Sequence, residues 1–286
     1  MLASRPQKTL RKSVEYAGIG LHTGQIVHMR FCPSESNSGI KFVRTDLLGR
    51  PTIPALIDQV GQTARSTTLG SGLAAIHTVE HVLAAIAGLG IDNLTIEIDG
   101  VEPPVGDGSS SVFVDLIEQA GTCEQEASMA IQTLSHPLYW SEGDIHIVAL
   151  PQDRLRISYT LNYPETYALR SQYVSLYVTP DSFKRELSTC RSFGLYSEIE
   201  PLIDRGLIKG SSLANSVVVK DEVVFSKDGL RFPDEMARHK ILDLIGDFSL
   251  IGVPFHAHII AIRSGHASHK AFSFILRDHF QKEGLQ

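Results

Sequence analysis

The order of predicted strands and helices repeats in the two halves of the chain, and this repeat constrains the fold more than any other feature. Each half begins with short strand-like runs between glycine turns, continues with one long helical pattern, and ends with an apolar strand and a closing helix. In the first half, the helical pattern follows Thr78, the apolar strand covers residues 93–98, and the closing helix runs to about Ala120. No residue-by-residue repeat accompanies this order. We therefore expect an α+β fold built as a duplicated unit, with two similar sheet-plus-helix domains that form a sandwich.

The length of 286 residues also favours two domains, because chains of this size usually divide into domains of roughly 100–150 residues. Neither a strand pattern nor a helix pattern holds between residues 121 and 133. We therefore predict a first domain over residues 1–124 and a second over residues 130–286. The second domain contains the longest helical pattern, from Asp234 to Leu250, and a last amphipathic helix from Ala267 to Phe280.

Composition and charge exclude several classes of protein. Hydrophobic residues make up 43% of the chain and charged residues 20%, which is typical of a globular protein. Lys and Arg number 26 against 32 Asp and Glu, so the chain lacks the overall basic charge of a nucleic-acid-binding protein. The most apolar stretch, residues 82–91, has about half of the ~20 residues that a membrane span requires. We expect a cytoplasmic enzyme with no integral membrane segment and no nucleic-acid partner.

The cysteines restrict the kind of metal site. Cys32, Cys123 and Cys190 lie far apart and form no C-x-x-C pair, so neither a disulfide framework nor a thiolate zinc site is indicated. The chain also lacks the G-x-x-x-x-G-K-[ST] and G-x-G-x-x-G motifs, which removes the usual sequence support for ATP or a dinucleotide. Any metal ion must therefore bind nitrogen and oxygen ligands.

The first candidate motif is His-Thr-Val-Glu-His at residues 77–81. On a helix, His77 and His81 would share one face, with Glu80 beside the second histidine. The pattern H-x-x-E-H is the signature of inverzincin metallopeptidases, in which both histidines bind zinc and the glutamate is the general base. The alternative is that both histidines cap the helix or face solvent.

The second candidate motif lies on the longest predicted helix. His239 and Asp243 are four residues apart and present an imidazole nitrogen and a carboxylate oxygen on one helix face, and Asp247 follows one turn later. Such ligands suit zinc, and they suit iron(II) as well. The alternative is an ordinary hydrogen-bonded or ionic pair, which is the more common role of this spacing.

The third candidate motif is Ser-Gly-His at residues 264–266, at a turn between an apolar strand and the last helix. A histidine at this place can act as a proton donor at the edge of the sheet, which makes His266 a candidate acid. We assign the other histidines of this region to packing or to the surface: His256, His258, His269 and His279.

In this order, the motifs resemble those of the UDP-3-O-acyl-N-acetylglucosamine deacetylases, the zinc amidases of lipid A biosynthesis in Gram-negative bacteria. The resemblance spans nearly the whole chain, which makes it far more specific than any single motif. It rests on residues 7–10, 18–24, 44–47, 78–81, 88–93, 191–194, 229–232, 238–243, 246–247 and 264–267.

The resemblance implies a zinc-dependent active site at the interface of the two domains. The implied metal ligands are His81, His239 and Asp243, and the implied general base is Glu80. His77 lies outside the T-V-E-H pattern of the family, so the match of residues 77–81 to the inverzincin motif H-x-x-E-H is then a coincidence.

The resemblance also implies the remaining catalytic residues. His266, held by Asp247, is similar to the catalytic histidine of the family, whose charged form would assist the oxyanion and protonate the leaving amine. Ser192 stands where the family usually has threonine, and its hydroxyl would stabilise the oxyanion.

Substrate contacts follow from the same resemblance. Lys240, Phe193 and Gly210 are implied contacts to the anionic nucleotide sugar. The segment 195–227 matches an insert of the second domain that forms a passage for the fatty acyl chain in this family. The alternative is a valine-rich hairpin that only packs on the core.

The expected function is hydrolysis of the acetamide of UDP-3-O-(3-hydroxyacyl)-N-acetylglucosamine, giving UDP-3-O-acyl-glucosamine and acetate in the committed step of lipid A biosynthesis. Two alternatives are an inverzincin-type peptidase that uses His77, Glu80 and His81, and a non-catalytic binder of acylated nucleotide sugars. We expect a small-molecule substrate and a monomeric protein.

Overall fold

The computed structural model of the chain describes residues 3–166 and 168–283. The first half contains β1 (Ser4–Leu10), β2 (Val14–Ile19), β3 (Ile26–Pro33), β4 (Ile40–Arg44), β5 (Thr52–Pro54), α1 (Glu80–Gly88), β6 (Leu94–Ile98) and α2 (Ser111–Ala120). The connection to the second half contains β7 (Thr122–Ala130) and β8 (Gln132–Thr133). The second half contains β9 (Leu138–Glu142), β10 (Ile145–Leu150), β11 (Arg156–Tyr163), β12 (Arg170–Tyr177), α3 (Pro180–Ser182), β13 (Phe193–Leu195), α4 (Tyr196–Asp204), β14 (Val217–Lys220), β15 (Val223–Phe225), α5 (Glu235–Ser249), β16 (Phe255–His256), β17 (His258–Ile262) and α6 (His266–Glu283).

Two five-stranded sheets with the same topology form the framework. The first sheet has the strand order β2-β3-β6-β4-β5, and the second has the order β9-β10-β17-β11-β12. In each sheet one neighbouring pair is parallel, β4 with β6 and β11 with β17, and the other pairs are antiparallel. The helices correspond as well, because α1 and α5 precede the middle strand of their sheet and α2 and α6 follow it. The predicted α+β fold class is confirmed, and the shared topology agrees with a duplicated unit.

The strands form where apolar and polar residues alternate. In β6, Leu94, Ile96 and Ile98 are fully buried, while the residues between them are partly exposed. In β17, Ile259 and Ala261 are buried in the same alternating manner. Successive side chains of a strand point to opposite faces, so each sheet has one face for the core. The buried faces of the two sheets and the helices belong to one continuous apolar core.

Helices α1 and α5 pack against each other at the centre of this core. Eight of the nine residues of α1 are buried, as expected for a helix that is covered on every side. The close approach depends on Gly246 of α5, because a Cβ atom there would overlap the backbone carbonyl of Glu80. The contact holds the first turn of α1 against the middle of α5.

Several predicted elements of the second half lie close to their expected positions. α5 covers 235–249 where a helix was expected over 234–250, and α6 covers 266–283 where 267–280 was expected. β14 and β15 form an antiparallel hairpin, with Val219 opposite Val224. Among the described residues, no helix has the length and apolar character needed to cross a lipid bilayer.

Residues 121–133, in which the sequence shows neither a strand pattern nor a helix pattern, nevertheless contain a strand. β7 occupies Thr122–Ala130 and pairs antiparallel with β1, which places Leu10 opposite Thr122 and Ser4 opposite Ala130. Every residue of β7 is half-buried or exposed, so its sequence lacks the alternation of buried apolar residues that predicts a strand. It forms because it completes the hydrogen-bond ladder of the amino-terminal strand, a partner that no local pattern reveals.

We expect Gly246→Ala to destabilise the protein, because the added methyl group would overlap the Glu80 carbonyl. Overpacking of this kind costs about 1–3 kcal/mol in the free energy of unfolding. Chemical denaturation measures the loss. The control Gln281→Ala, at an exposed position of α6, should change the free energy of unfolding by less than about 0.5 kcal/mol. Equal stability of Gly246→Ala and the wild type would contradict the role of this contact.

Candidate metal and catalytic site

Six ionisable side chains from three helices meet at the centre of the molecule. Each of them is at most 7% exposed. Buried charges cost free energy unless they are paired, so these side chains must interact with one another or with a bound ion. They are Glu80 and His81 at the start of α1, His239, Asp243 and Asp247 on one face of α5, and His266 at the start of α6.

His81, His239 and Asp243 offer three ligand atoms that lie within 4.8 Å of one another. Oδ1 of Asp243 lies 3.5 Å from Nε2 of His81 and 3.3 Å from Nε2 of His239. This oxygen is buried and has no hydrogen-bond partner among the residues that the structure describes. Two imidazole nitrogens and a carboxylate oxygen that converge without bonding one another fit a divalent metal ion such as zinc.

The surroundings of the two candidate ligands on α5 keep one atom of each directed at the point where the three candidate ligand atoms converge. Nδ1 of His239 donates to the backbone carbonyl of Cys190 at 3.0 Å, which leaves the lone pair of Nε2 for an ion. Burial lowers the pKa of His239 to about 4, so its imidazole is neutral at pH 7. Nζ of Lys240 donates to Oδ2 of Asp243 at 2.9 Å, which leaves Oδ1 for the ion.

The two carboxylate oxygens of Glu80 have different surroundings. The backbone N–H of Thr67 donates to Oε2 at 3.0 Å, whereas Oε1 lies 4.0 Å from Nε2 of His266. Burial raises the pKa of Glu80, which makes its carboxylate a stronger base than that of an exposed glutamate. Glu80 therefore offers one oriented basic oxygen beside the candidate metal ligands.

Asp247 holds His266 in its charged form. Nδ1 of His266 donates to Oδ2 of Asp247 at 2.8 Å. Burial alone would lower the pKa of His266, but the charge and the hydrogen bond of Asp247 raise it to about 9. Burial would raise the pKa of Asp247, but the two histidines that contact it, His266 and His269, lower it to about 2. At pH 7 the pair is therefore an imidazolium and a carboxylate.

Thr67 and His269 complete the surroundings of Asp247, and no sequence motif assigns either of them to the site. Nδ1 of His269 donates to Oδ2 of Asp247 at 2.7 Å, and the hydroxyl of Thr67 donates to Oδ1 at 2.5 Å. The assignment of His269 to packing or to the surface is thus incomplete, because it is buried but also binds Asp247. His269 follows His266 by three residues, and this helical spacing could have indicated that both histidines lie on the same helix face. Thr67 reaches the site from a loop, which no periodicity marks.

The site opens into a cavity of about 450 Å³ that residues of both halves line. Ser192, Phe193 and Lys240 line it as well. Nζ of Lys240 lies 5.6 Å from the centre of the Phe193 ring. Burial would lower the pKa of Lys240, but the neighbouring Asp243 raises it above its ordinary value, so the amine is positively charged. These three predicted residues therefore share one cavity with the candidate metal ligands.

Gly210 is not among the described residues that line this cavity. Its backbone N–H donates to the carbonyl of Leu21 at 3.0 Å, and a Cβ atom at Gly210 would overlap the carbonyl of Gly20. The residue therefore allows the segment that contains Gly210 to approach the backbone of Gly20 and Leu21 closely.

The predicted insert forms a small three-stranded sheet with α4 beside the cavity. A second cavity of about 360 Å³ lies within it, with apolar walls that include Ile203, Val218 and Phe225. Ile199 and Ile208 line both cavities, so the two adjoin.

The expectation that His77 and His81 share a helix face is wrong. α1 begins only at Glu80, and Thr78 has a positive φ of 56°. Nδ1 of His77 shares a hydrogen bond with the hydroxyl of Thr68 at 2.9 Å. Within the described ranges, the metal-ligand group of His81 does not include His77. The inverzincin interpretation thereby loses one of its two histidine ligands.

Comparison with known proteins agrees with the geometry of this site. A family model described as UDP-3-O-acyl N-acetylglycosamine deacetylase matches residues 7–277. The chain belongs to this deacetylase family. The resemblance seen in the motifs and the enzyme class expected from it are confirmed, and the peptidase and the non-catalytic alternatives are not favoured.

Three curated relatives carry the name UDP-3-O-acyl-N-acetylglucosamine deacetylase. The Chlamydia pneumoniae protein is 49% identical over 272 residues, which are 95% of this chain and 96% of that protein. The Chlamydia abortus protein is 50% identical over 270 residues, 94% of this chain and 96% of that protein. The Chlamydia felis protein is 48% identical over 280 residues, 98% of this chain and 100% of that protein. Both halves of the fold therefore have counterparts in these deacetylases.

We expect His239→Gln to weaken metal binding, because Nε2 of His239 is one of the three candidate ligand atoms that converge among the described residues. The loss of a ligand should reduce affinity by more than the roughly 10–100-fold that follows loss of a supporting outer group. Elemental analysis after dialysis measures the metal content. His77→Gln is the matched control and should retain the metal. The opposite pattern would support the inverzincin ligand set.

Proposed function

We propose that the chain hydrolyses the acetamide of UDP-3-O-(3-hydroxyacyl)-N-acetylglucosamine and releases UDP-3-O-acyl-glucosamine and acetate. One observation carries the proposal: three ligand atoms converge beside a buried carboxylate of raised pKa and a buried imidazolium, all in one cavity. Amide hydrolysis needs a means to activate water, a base and an acid, and this arrangement provides positions for all three.

Zinc is the metal that we propose for this site, with iron(II) as the alternative. His81, His239 and Asp243 would hold it, because two nitrogen atoms and one oxygen atom suit both ions. A bound zinc ion would lower the pKa of its water to about 7 and polarise the acetamide carbonyl.

Glu80 is the proposed general base. The Thr67 N–H fixes Oε2, so Oε1 is the oxygen that faces the reacting atoms and accepts the proton of the attacking water. Because burial raises the pKa of Glu80, its carboxylate binds a proton more readily than that of an exposed glutamate. The side chain can therefore hold this proton while the carbon–nitrogen bond breaks.

His266 is the proposed general acid. Its Nδ1 is engaged by Asp247, and its Nε2 faces Glu80 at 4.0 Å, so Nε2 is the nitrogen that faces the substrate. The imidazolium would stabilise the developing oxyanion and then donate a proton from Nε2 to the departing amine of the sugar. The hydroxyl of Ser192, in the wall of the same cavity, is a further proposed donor to the oxyanion.

Local cations must attract the anionic substrate, because the chain as a whole carries a net charge of −6. Lys240 is charged and lines the cavity, and we propose that it contacts the nucleotide sugar while the ring of Phe193 lies against the sugar. For Gly210 we propose an indirect contribution, through the loops that it brings together.

The acyl chain is proposed to occupy the second cavity. This cavity adjoins the first through Ile199 and Ile208, and its walls are apolar. Each buried methylene group contributes about 0.8 kcal/mol to binding. An acylated substrate would therefore bind more tightly than its deacylated counterpart.

We further propose that the protein acts as a monomer in the cytoplasm. Every group of the proposed site comes from one chain, so catalysis needs no residue from a partner subunit.

We expect Glu80→Gln to reduce kcat by about 10²–10⁴-fold, because the amide cannot accept the proton of water. Metal content should stay at the wild-type level, since Glu80 is not one of the three ligands. Acetate release from the acylated UDP substrate measures the rate. Glu198→Gln, another glutamate of the cavity wall, is the matched control and should stay near the wild-type rate. Equal rates for Glu80→Gln and the wild type would refute this mechanism, and a wild type that releases no acetate would support the non-catalytic alternative.

We expect Asp247→Asn to shift the alkaline limb of the pH–rate profile to lower pH. The charge of Asp247 raises the pKa of His266, so its removal lowers that pKa, and the acid loses its proton at a lower pH. The remaining charges of Glu80 and Asp243 still favour the imidazolium, so the pKa of His266 should keep part of its increase. The dependence of kcat/KM on pH measures the shift. An unchanged alkaline limb would contradict the role of His266 as the acid.

A further inference from the structure

The last turns of α6 carry a second group of candidate metal ligands. His279 and Glu283 are one turn apart on this helix, and His136 lies in the loop between β8 and β9. Their ligand atoms lie within 4.8 Å of one another. His279 follows His266 by 13 residues, so the group lies about 20 Å along the helix from the proposed active site. None of the three residues lines the catalytic cavity.

His279 is a buried side chain with a nitrogen that lacks a hydrogen-bond partner. It is only 8% exposed, and its Nε2 has no such partner among the described residues. Nε2 lies 3.2 Å from Oε2 of Glu283, but the two atoms do not have the geometry of a hydrogen bond. A nitrogen and an oxygen that are close without bonding each other are typical of ligands aimed at a common ion.

The same signature marks the proposed zinc site. There the unpartnered buried atom is Oδ1 of Asp243. The rings of His81 and His239 are 5.0 Å apart at 84°, and those of His136 and His279 are 4.9 Å apart at 82°. Both sites thus combine two imidazoles set edge to face with one carboxylate.

A third histidine and carboxylate group serves as an internal contrast. Asp247, His266 and His269 are also close together, but both imidazoles donate to Oδ2 of Asp247, at 2.8 and 2.7 Å. Their nitrogen atoms point at the carboxylate, so hydrogen bonds already explain this group. They do not explain the contact between His279 and Glu283.

His136 is suited to complete the second group. Its Nδ1 shares a hydrogen bond with the hydroxyl of Ser135 at 3.0 Å, so Nε2 is the ring nitrogen left to bind an ion. The side chain is exposed, which gives an ion a path from solvent. Pro137 follows it and restricts the backbone of the loop.

We propose that His136, His279 and Glu283 form a second binding site for a divalent transition-metal ion of the zinc class. Two imidazole nitrogens and one carboxylate oxygen are the donor set that such ions prefer. A bound ion would fasten the carboxyl-terminal end of α6 to the loop between β8 and β9. Because α6 begins with His266, the ion would anchor the far end of the helix that carries the proposed acid.

Zn²⁺ titration of the enzyme that already holds one equivalent of metal tests this proposal. Calorimetry and equilibrium dialysis should show one further equivalent bound by the wild type. His136→Ala should bind this second equivalent at least roughly tenfold more weakly than the wild type. Glu283→Gln should also bind it more weakly. The kcat of His136→Ala should equal that of the wild type, because the first site is intact. Added Zn²⁺ should also raise the Tm of the wild type but not that of His136→Ala.

His28→Ala is the matched control for an exposed histidine beside a carboxylate. Nδ1 of His28 lies 2.8 Å from Oδ2 of Asp99, but within the described part of the chain this pair has no third ligand. His28→Ala should therefore keep the second equivalent. A wild type that binds no second Zn²⁺ would overturn the proposal, and so would a His136→Ala variant with unchanged affinity. Neither outcome bears on the proposed deacetylase mechanism, because the readout is metal binding outside the catalytic cavity.

Discussion

The close contact between α1 and α5 is the constraint on which the candidate site depends. The proposed metal ligands are divided between these helices, with His81 on one and His239 and Asp243 on the other. Packed helices usually lie 8–10 Å apart, with the spacing set by the side chains at the contact. Gly246 removes the side chain at the point of contact, so the backbone of Glu80 rests directly on α5. The short distance lets an imidazole near the start of α1 converge with ligands from the middle of α5.

The site concentrates charge in the core, and its hydrogen bonds offset the cost of burial. Asp247 accepts hydrogen bonds from two imidazoles and one hydroxyl, and Lys240 donates to Asp243. An unpaired buried carboxylate would cost several kcal/mol. The same contacts set the protonation states, since they favour the ionised form of Asp247 and the charged form of His266. Stability and chemistry therefore depend on one set of interactions, and a change to one partner affects both.

Sequence patterns predict those parts of the site that lie within one element. Helical spacing on α5 placed His239, Asp243 and Asp247 on one face, and the structure has them there. Helical spacing does not apply to His77, because α1 begins three residues later and Thr78 has a positive φ that is not helical. Thr67 and β7 were missed for a related reason: a loop residue and a strand without apolar alternation acquire their roles only from distant partners. That residues of the two halves meet in one site could be expected only from the family resemblance, since no local spacing encodes it.

The shared topology of the halves explains how the contacts around α1 arise. α2 and α6 follow the middle strands of their sheets and are topological equivalents. At the start of α2, the hydroxyl of Ser110 donates to the backbone carbonyl of His81 at 2.7 Å. At the start of α6, His266 faces Glu80. Both closing helices therefore reach the first turn of α1, one with a supporting hydrogen bond and the other with an ionisable group. Each half has one central helix and one closing helix. The ionisable side chains of the site come from α1, α5 and α6, so the site requires both halves.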